Sequence, residues 1–228
     1  MRNEHAILIA YGSCAEAMNL APVVLELRRC RRIRPVVGAP GAGSETFDQV
    51  RRLFRVAPEL DLDLAGCGTS LSDVVMRARA GLTASLERSA AYLTARGIGS
   101  VLVDGDSTLS LAVAMVGFRG GLPVVHVNAG VTGSPPEDYP DGARTGRLIA
   151  QVASLHLAPT AAERRSLIDN GVDPDDIVVT GRLTVDTRMA SAGNPFGDGR
   201  AAARVRAAVE ELLGLGRRMP DFEQSHLV

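Results

Sequence analysis

The sequence predicts an α/β protein with a Rossmann-like parallel sheet that is covered by helices on both faces. Short apolar runs of strand length alternate with longer segments of helical spacing along most of the chain. Several of these runs end in glycine and polar residues, which is the turn signal of a strand that leads into a helix. Strands and helices in this alternation are typical of a parallel sheet.

The first strand is predicted over residues 6–11, where an apolar run ends at Gly12 and Ser13. The first helix follows over 16–29, with apolar side chains from Ala17 to Leu27 at helical spacing. Further strands are predicted over 34–39, 60–64, 100–103, 123–127, 155–158 and 177–180, and further helices over 46–54, 71–95, 107–118, 144–153 and 161–170, with one more after 180. Residues 130–142 are rich in Gly, Pro, Asp and Ser, so we expect a mobile loop. Because this loop directly follows the carboxyl end of a strand, it is a candidate lid.

The pattern predicts two regions. Residues 1–190 form the Rossmann-like domain, and residues 191–228 form a linker, an amphipathic helix over 200–215 and an irregular tail.

Composition narrows the possible functions. The chain has 228 residues, of which 46% are hydrophobic and 22% charged, and its formal net charge is -1, so no strong field attracts nucleic acid or a membrane surface. All its basic residues apart from histidine are arginine, which excludes lysine Schiff-base chemistry. Cys14, Cys30 and Cys67 are widely spaced, so we expect reduced thiols in a cytoplasmic protein and no metal site. The sequence shows no signal peptide and no membrane-spanning run.

Two strand-end turns predict the position of a ligand. Residues 101–108 and 124–130 each combine a short apolar strand with a polar, glycine-containing end. Because ligands bind at the carboxyl ends of neighbouring parallel strands, we expect both turns to face one pocket.

The same turns belong to a set of segments that resembles a known family. The segments are 12–22 (GSCAEAMNLAP), 104–108 (DGDST) and 126–130 (HVNAG), supported by 47–50 (FDQV), 157–160 (LAPT) and 180–186 (TGRLTVD). In this order they resemble the UDP-N-acetylglucosamine 2-epimerases, over nearly the whole chain up to about Met189.

The resemblance implies a two-domain fold of the glycosyltransferase B type, of which this chain would be the N-terminal half with a linker helix. It implies a reaction that removes the C2 proton of a UDP-linked N-acetylhexosamine, expels UDP to give a glycal, and adds UDP back with the opposite C2 configuration. Such a route uses carboxylates as proton carriers and needs no cofactor. In the family the nucleotide is held mostly by the C-terminal half.

Asp106 is the first catalytic candidate, because it matches the aspartate of the family's Gly-Asp-Thr turn. The other interpretation is that Asp106, Ser107 or Thr108 caps the following helix. Asn128 stands where the family's His-Val-Glu-Ala-Gly motif has glutamate. An amide carries no proton at physiological pH, so Asn128 is predicted to bind substrate or to hold the turn.

Asp141 is the second catalytic candidate, as the counterpart of a glutamate in the family's Pro-Glu-Glu-x-Asn-Arg motif, although its place in a glycine-flanked loop favours a solvated turn residue. Arg144 and Arg147 follow it and are predicted to bind the substrate's anionic groups, unless they are surface residues. His126, which keeps the family's histidine, is predicted to bind substrate or to be a core group on its strand.

The first turn offers Ser13 and Glu16 as substrate-binding candidates, and a glutamate there also fits the helix dipole. Cys14 and Asn19 stand where the family has arginine and lysine, so two cations that would steady a diphosphate are lost.

Two functions follow. The first is an epimerase-like protein that acts on a UDP-linked N-acetylhexosamine. The second is a non-catalytic or split-enzyme subunit that binds a partner chain carrying the nucleotide-binding half. A homodimer is expected for the first, and neither involves nucleic acid or a membrane.

Overall fold

The structure, a computed structural model, describes residues 4–39, 48–62, 82–131, 142–183 and 197–223. The strands are β1 His5–Ala10, β2 Ile33–Ala39, β3 Leu60–Asp61, β4 Ile98–Asp104, β5 Val124–Val127, β6 Leu155–Ala158 and β7 Ile177–Val179. The helices are α1 Cys14–Leu27, α2 Asp48–Phe54, α3 Leu82–Ala95, α4 Thr108–Arg119, α5 Gly142–Val152, α6 Ala161–Asp169 and α7 Ala201–Leu212, with a 3-10 turn at Pro174–Asp176.

The described strands form one parallel sheet in the order β3-β2-β1-β4-β5-β6-β7. The chain runs outward from β1 to β3 and then returns to place β4 on the other side of β1. The turns after β1 and β4 therefore diverge to opposite faces, which opens a crevice at the carboxyl ends of these strands. The predicted fold class, a Rossmann-like α/β sheet, is confirmed.

Two buried clusters cover the two faces of the sheet, and β1 contributes to both. Ile7 and Ile9 belong to the cluster that contains the buried sides of α1 and α7, whereas Ala6 and Leu8 belong to the cluster with α3, α4 and α5. Successive strand side chains point to opposite faces, so an apolar run without polar interruptions serves both clusters at once.

Capping residues fix where two of the helices begin. Ser13 accepts a hydrogen bond from the Glu16 backbone nitrogen at 3.2 Å, and the Glu16 carboxylate accepts one from the Ser13 nitrogen at 3.0 Å, which is a capping box. Ser107 accepts from the Ser110 nitrogen at 3.1 Å and so caps α4. Both caps lie at the carboxyl edge of the sheet, so they set the walls of the crevice.

Helix α7 packs on the same face of the sheet as α1. The buried Arg204 donates to both carboxylate oxygens of Asp198, at 2.8 and 2.7 Å, and to the carbonyl oxygens of Thr180 and Pro220. The guanidinium thus ties α7 to the segments on either side of it. The hydrogen bonds from Arg204 hold the pKa of the Asp198 carboxyl group below its usual value.

Most predicted elements are confirmed, with changes at their ends. Strand β6 has the predicted bounds, and β4 begins two residues earlier than predicted, because Gly97 adopts a left-handed φ of 72° and ends α3 before Ile98. The loop at 132–141, the first part of the 71–95 helix and the helix predicted after 180 lie outside the described residues, apart from 181–183, which are not α-helical.

Candidate functional site

A cavity of about 320 Å³ lies at the carboxyl edge of the sheet, in the crevice between the β1 and β4 turns. The start of α1, the ends of β4 and β5 and the segments after β6 and β7 contribute its lining, which comprises Ala15, Glu16, Asn19, Asp104, Gly105, Asp106, Asn128, Val131, Pro159, Arg182 and Leu183. The two turns that the sequence predicts to meet at one pocket do meet here. A volume of this size is in the range of small-molecule sites.

Asp104 is the central polar group of this cavity. It is the last residue of β4 and is 2% exposed. Its Oδ1 accepts a hydrogen bond from Asn128 Nδ2 at 2.5 Å, and its Oδ2 accepts one from Asn19 Nδ2 at 3.2 Å. One carboxyl group therefore joins β4 to the turn after β5 and to helix α1.

Burial gives this carboxyl group an unusual proton affinity. Removal from water raises the pKa of Asp104 to about 7, and the nearby Glu16 and Asp106 carboxylates add to the rise. The amide hydrogens of Asn19 and Asn128 act in the opposite direction, since they favour the ionised form. Asp104 therefore exchanges its proton near neutral pH, as acid-base groups in active sites do.

Asn128 holds a backbone conformation that few side chains accept. Its φ is 53°, in the left-handed region, where asparagine is one of the favoured residues other than glycine. This conformation turns the chain sharply after β5, and the amide then donates to Asp104. Asn128 thus holds the turn and lines the cavity, and its predicted role in binding substrate stays a prediction.

Asp106 is half-buried and lines the cavity, two residues after Asp104 in the turn that follows β4. The cap of α4 is supplied by Ser107, so the carboxylate of Asp106 is not used for that purpose. The catalytic role of Asp106 stays a prediction.

A second cavity of about 300 Å³ adjoins the first, and both are lined by Gly105, Asp106, Asn128 and Val131. Arg147 and His126 line only the second cavity. His126 is 2% exposed, and its Nε2 donates to the carbonyl oxygen of Gly105 at 2.8 Å. Burial lowers the pKa of His126 to about 4, so its imidazole is neutral and holds the β4 turn in place.

The remaining predicted residues are less central. Glu16 lines the first cavity, but its carboxylate accepts from the backbone nitrogens of Gly12 and Ser13 at 2.6 and 3.0 Å. Ser13 caps α1 and does not belong to the lining of either cavity. Arg144 is exposed and lies outside both linings. Asp141 lies outside the described residues.

The sequence reasoning did not select Asp104, which it placed in the turn segment 104–108 after the predicted strand. The available signal was an aspartate at the close of an apolar run, Val101 to Val103, because a carboxylate at the end of a buried strand has to find hydrogen-bond donors. Arg182, a plausible anion contact by its sequence, also lines the first cavity.

The described residues contain neither a candidate metal site nor a membrane-spanning helix. No cluster of three or more His, Cys, Asp or Glu side chains there is placed to hold a metal ion. None of the described helices is long and apolar enough to cross a membrane.

Comparison with known proteins gives consistent matches. Residues 26–192 match the UDP-N-acetylglucosamine 2-epimerase family. A probable UDP-N-acetylglucosamine 2-epimerase of Ralstonia nicotianae is 32% identical over 185 residues, which are 81% of this chain and 47% of that protein. The UDP-N-acetylglucosamine 2-epimerase of Yersinia pestis is 33% identical over 181 residues, which are 79% of this chain and 46% of that protein.

Solved structures agree. The crystal structure of the Neisseria meningitidis UDP-GlcNAc 2-epimerase bound to UDP-GlcNAc has a TM-score of 0.66 and 28% identity, and the match covers 79% of this chain and 48% of that one. The chain spans about half the length of the curated relatives it matches. The chain belongs to the UDP-N-acetylglucosamine 2-epimerase family, as its strand-end turns predict.

Proposed function

We propose that this chain forms the sugar-facing wall of a site that interconverts the C2 epimers of a UDP-linked N-acetylhexosamine, by elimination and re-addition of UDP. The observation that carries the proposal is the cavity at the carboxyl ends of β4 and β5, with Asp104 and Asp106 in its lining. A C2 proton cannot leave and return without a proton carrier, and carboxyl groups in a cavity of this size supply one.

The charge of the cavity indicates how the substrate lies. The cations in the described linings are Arg182 in the first cavity and Arg147 in the second, whereas the first cavity also contains Glu16, Asp104 and Asp106. A diphosphate placed among these carboxylates would be repelled. The sugar is therefore the part of the substrate that fits this wall.

The start of α1 does not provide a free anion site. The backbone nitrogens of Gly12 and Ser13 already donate to the Glu16 carboxylate, and a helix N-terminus binds phosphate through such nitrogens. The diphosphate would accordingly be held by groups other than these, which agrees with a chain that matches about half the length of its relatives.

The occupied backbone nitrogens of the α1 turn favour a second candidate function, a subunit that binds a partner chain carrying the nucleotide-binding half. In that case the cavity is one wall of a composite site, and the chain alone binds UDP-sugar weakly or not at all. Co-expression with the reading frame adjacent to this gene tests the idea, and it fails if no stable complex forms and UDP binding is unchanged.

A homodimer is the expected assembly for the first function. Three helices that pack side by side, α3, α4 and α5, expose one large apolar side chain each: Tyr92 is 42%, Phe118 58% and Leu148 45% exposed. Apolar surface of this kind favours association. Light scattering on the wild type and on Phe118→Glu tests this, since a dimer through this surface becomes a monomer in the variant.

The location in the cytoplasm also stays a prediction.

The first function is tested with UDP-N-acetylglucosamine in deuterium oxide. We expect the C2 proton to exchange with solvent and the C2 epimer to form, as observed by proton NMR. Asp106→Asn should abolish formation of the C2 epimer, while Asp176→Asn, an exposed position at the amino edge of the sheet, should retain both exchange and epimer formation. A folded chain that neither exchanges the C2 proton nor binds UDP-N-acetylglucosamine in calorimetry overturns the proposal.

A further inference from the structure

Asp104 is the last residue of β4, and its carboxyl group reaches the turn that follows the neighbouring strand, β5. In the parallel register Asp104 lies opposite Val127, the residue before Asn128. Adjacent strands lie about 4.8 Å apart, and the Asp104 Oδ1 lies 2.5 Å from Asn128 Nδ2. A carboxyl group is thus present beside the Asn128 turn even though residue 128 itself is an amide.

The hydrogen bonds of Asp104 leave it capacity to act on a ligand. Each carboxyl oxygen has two acceptor positions, and each accepts one amide hydrogen, from Asn128 and from Asn19. The residue also lines the cavity. Glu16 also accepts two hydrogen bonds, but both come from backbone nitrogens of the α1 turn and go to its Oε2.

Asp104 and Asp106 form an unequal pair within one turn. Asp104 is 2% exposed and enclosed by two amides, whereas Asp106 is half-buried and is not the cap of α4. A deeply buried carboxyl group beside a more accessible one is an arrangement that enzymes use for an acid and a base. Burial, together with the charge of Asp106, raises the pKa of Asp104 to about 7, in keeping with the acid role.

The charged and titratable groups around Asp104 are few. Glu16 faces it from α1 and Asp106 from its own turn, and both oppose its ionisation. Arg182, from the segment after β7, lines the same cavity. From β5, His126 donates to the Gly105 carbonyl oxygen and stays neutral. The amide groups of Asn19 and Asn128 donate to the two carboxyl oxygens of Asp104.

We propose that Asp104 is a catalytic residue of this site and works with Asp106 as a pair of proton carriers that serve opposite faces of the sugar at C2. The proposal rests on the epimerase function proposed above. It assigns a catalytic role to a carboxyl group that the family resemblance did not single out, and it gives the amides of Asn19 and Asn128 the role of holding that group in place.

In one direction the reaction begins at Asp106. Asp106 takes the C2 proton, so the C2–H bond breaks and an O–H bond forms on Asp106. The electron pair becomes the C1–C2 double bond while the C1–O bond to UDP breaks and UDP leaves as the anion. Asp104 then delivers its proton to C2 from the opposite face, and a UDP oxygen forms the new bond to C1. In the reverse direction the two residues exchange roles.

This arrangement makes a prediction that a purely structural role does not. With one carrier removed, the other can still take a proton from its own epimer and return it to the same face. Asp104→Asn should therefore keep C2 deuterium exchange with one epimer, either UDP-N-acetylglucosamine or UDP-N-acetylmannosamine, while it loses epimerisation by more than about 100-fold. Asp106→Asn should keep exchange with the other epimer only.

The experiment compares the wild type, these two variants and Asp176→Asn, with each epimer supplied separately in deuterium oxide. Proton NMR follows C2 exchange and epimer formation, calorimetry follows binding, and circular dichroism follows folding. We expect the KM of Asp104→Asn to stay within about threefold of the wild-type value, because a proton carrier acts in the chemical step.

Epimerisation by Asp104→Asn within about threefold of the wild-type rate overturns the assignment and leaves the epimerase function intact. Equal loss of exchange with both epimers, or loss of folding, also overturns it, because Asp104 would then act only through the structure. If the wild type itself neither exchanges nor epimerises, the proposed function fails and the assignment fails with it.

Discussion

Asp104→Asn should change the stability of the protein in opposite directions at low and at high pH. Burial raises the pKa of Asp104 from 3.8 to about 7 in the folded state. Between these values the folded protein binds more protons than the unfolded chain, so the wild type loses stability as the pH rises from about 4 to about 7. An asparagine at the same position does not titrate, and the variant is spared this loss.

The size of the effect follows from the same values. A rise from 3.8 to about 7 corresponds to about 4 kcal/mol of wild-type stability that is lost by neutral pH. The variant has a cost of its own, because the carboxamide oxygen replaces two carboxyl oxygens as acceptor for the amides of Asn19 and Asn128. A buried donor left without an acceptor costs about 1–3 kcal/mol.

The variant should therefore be less stable than the wild type by about 1–3 kcal/mol at about pH 4, and more stable by about 1–3 kcal/mol at about pH 8. Urea unfolding followed by circular dichroism, at intervals of one pH unit, measures the difference directly. Asp176→Asn, an exposed substitution, should differ from the wild type by less than about 0.5 kcal/mol throughout. A difference between Asp104→Asn and the wild type that does not vary with pH would refute the reasoning.

Three other changes test the surroundings of the site. Burial lowers the pKa of His156, in β6, to about 4, so the fold loses stability as the pH falls from about 6.5 to about 4. His156→Leu should remove about 3 kcal/mol of this loss, as measured by acid unfolding. Arg204→Ala should lower the free energy of unfolding by about 3 kcal/mol, because it removes two hydrogen bonds to the Asp198 carboxylate and one to each of two carbonyl oxygens. A urea midpoint equal to the wild-type value would contradict this. Gly130 has a φ of 79°, and an added Cβ would lie 2.5 Å from a backbone carbonyl oxygen of α6, so Gly130→Ala should lower the free energy of unfolding by at least about 2 kcal/mol. Gly146→Ala is the matched control and should be tolerated, because the nearest neighbour of its added Cβ would be the Asp106 Cβ, at 3.5 Å. Equal melting temperatures for the two glycine variants would count against the close approach.

The turns and strands of this fold could be read from the sequence because their causes are local. Strand β6 is preceded by Ser154 and followed by Pro159 and Thr160, and the observed strand has the predicted bounds. Ser13 and Glu16 are three residues apart, so their capping box is visible in the sequence as well. The start of β4 was predicted two residues too late, since Gly99 follows Ile98 and resembles a turn residue.

The site was only partly predictable. Position after a strand was enough to place Asp106 and Asn128 at one cavity. It was not enough to separate Ser107 from Asp106 as the cap of α4, because both are good capping residues and the choice depends on the backbone path of the turn.

Taken alone, the sequence determined the fold class, the family and the edge of the sheet where a ligand would lie, because apolar periodicity and turn residues act over a few neighbours. The tertiary structure decided the chemistry of that edge. Asn19 and Asn128, which the sequence presents as two separate losses of charge, both donate to Asp104, from 85 and 24 residues away. Only the folded sheet brings the three side chains together, and only burial in it moves the pKa of Asp104 to about 7.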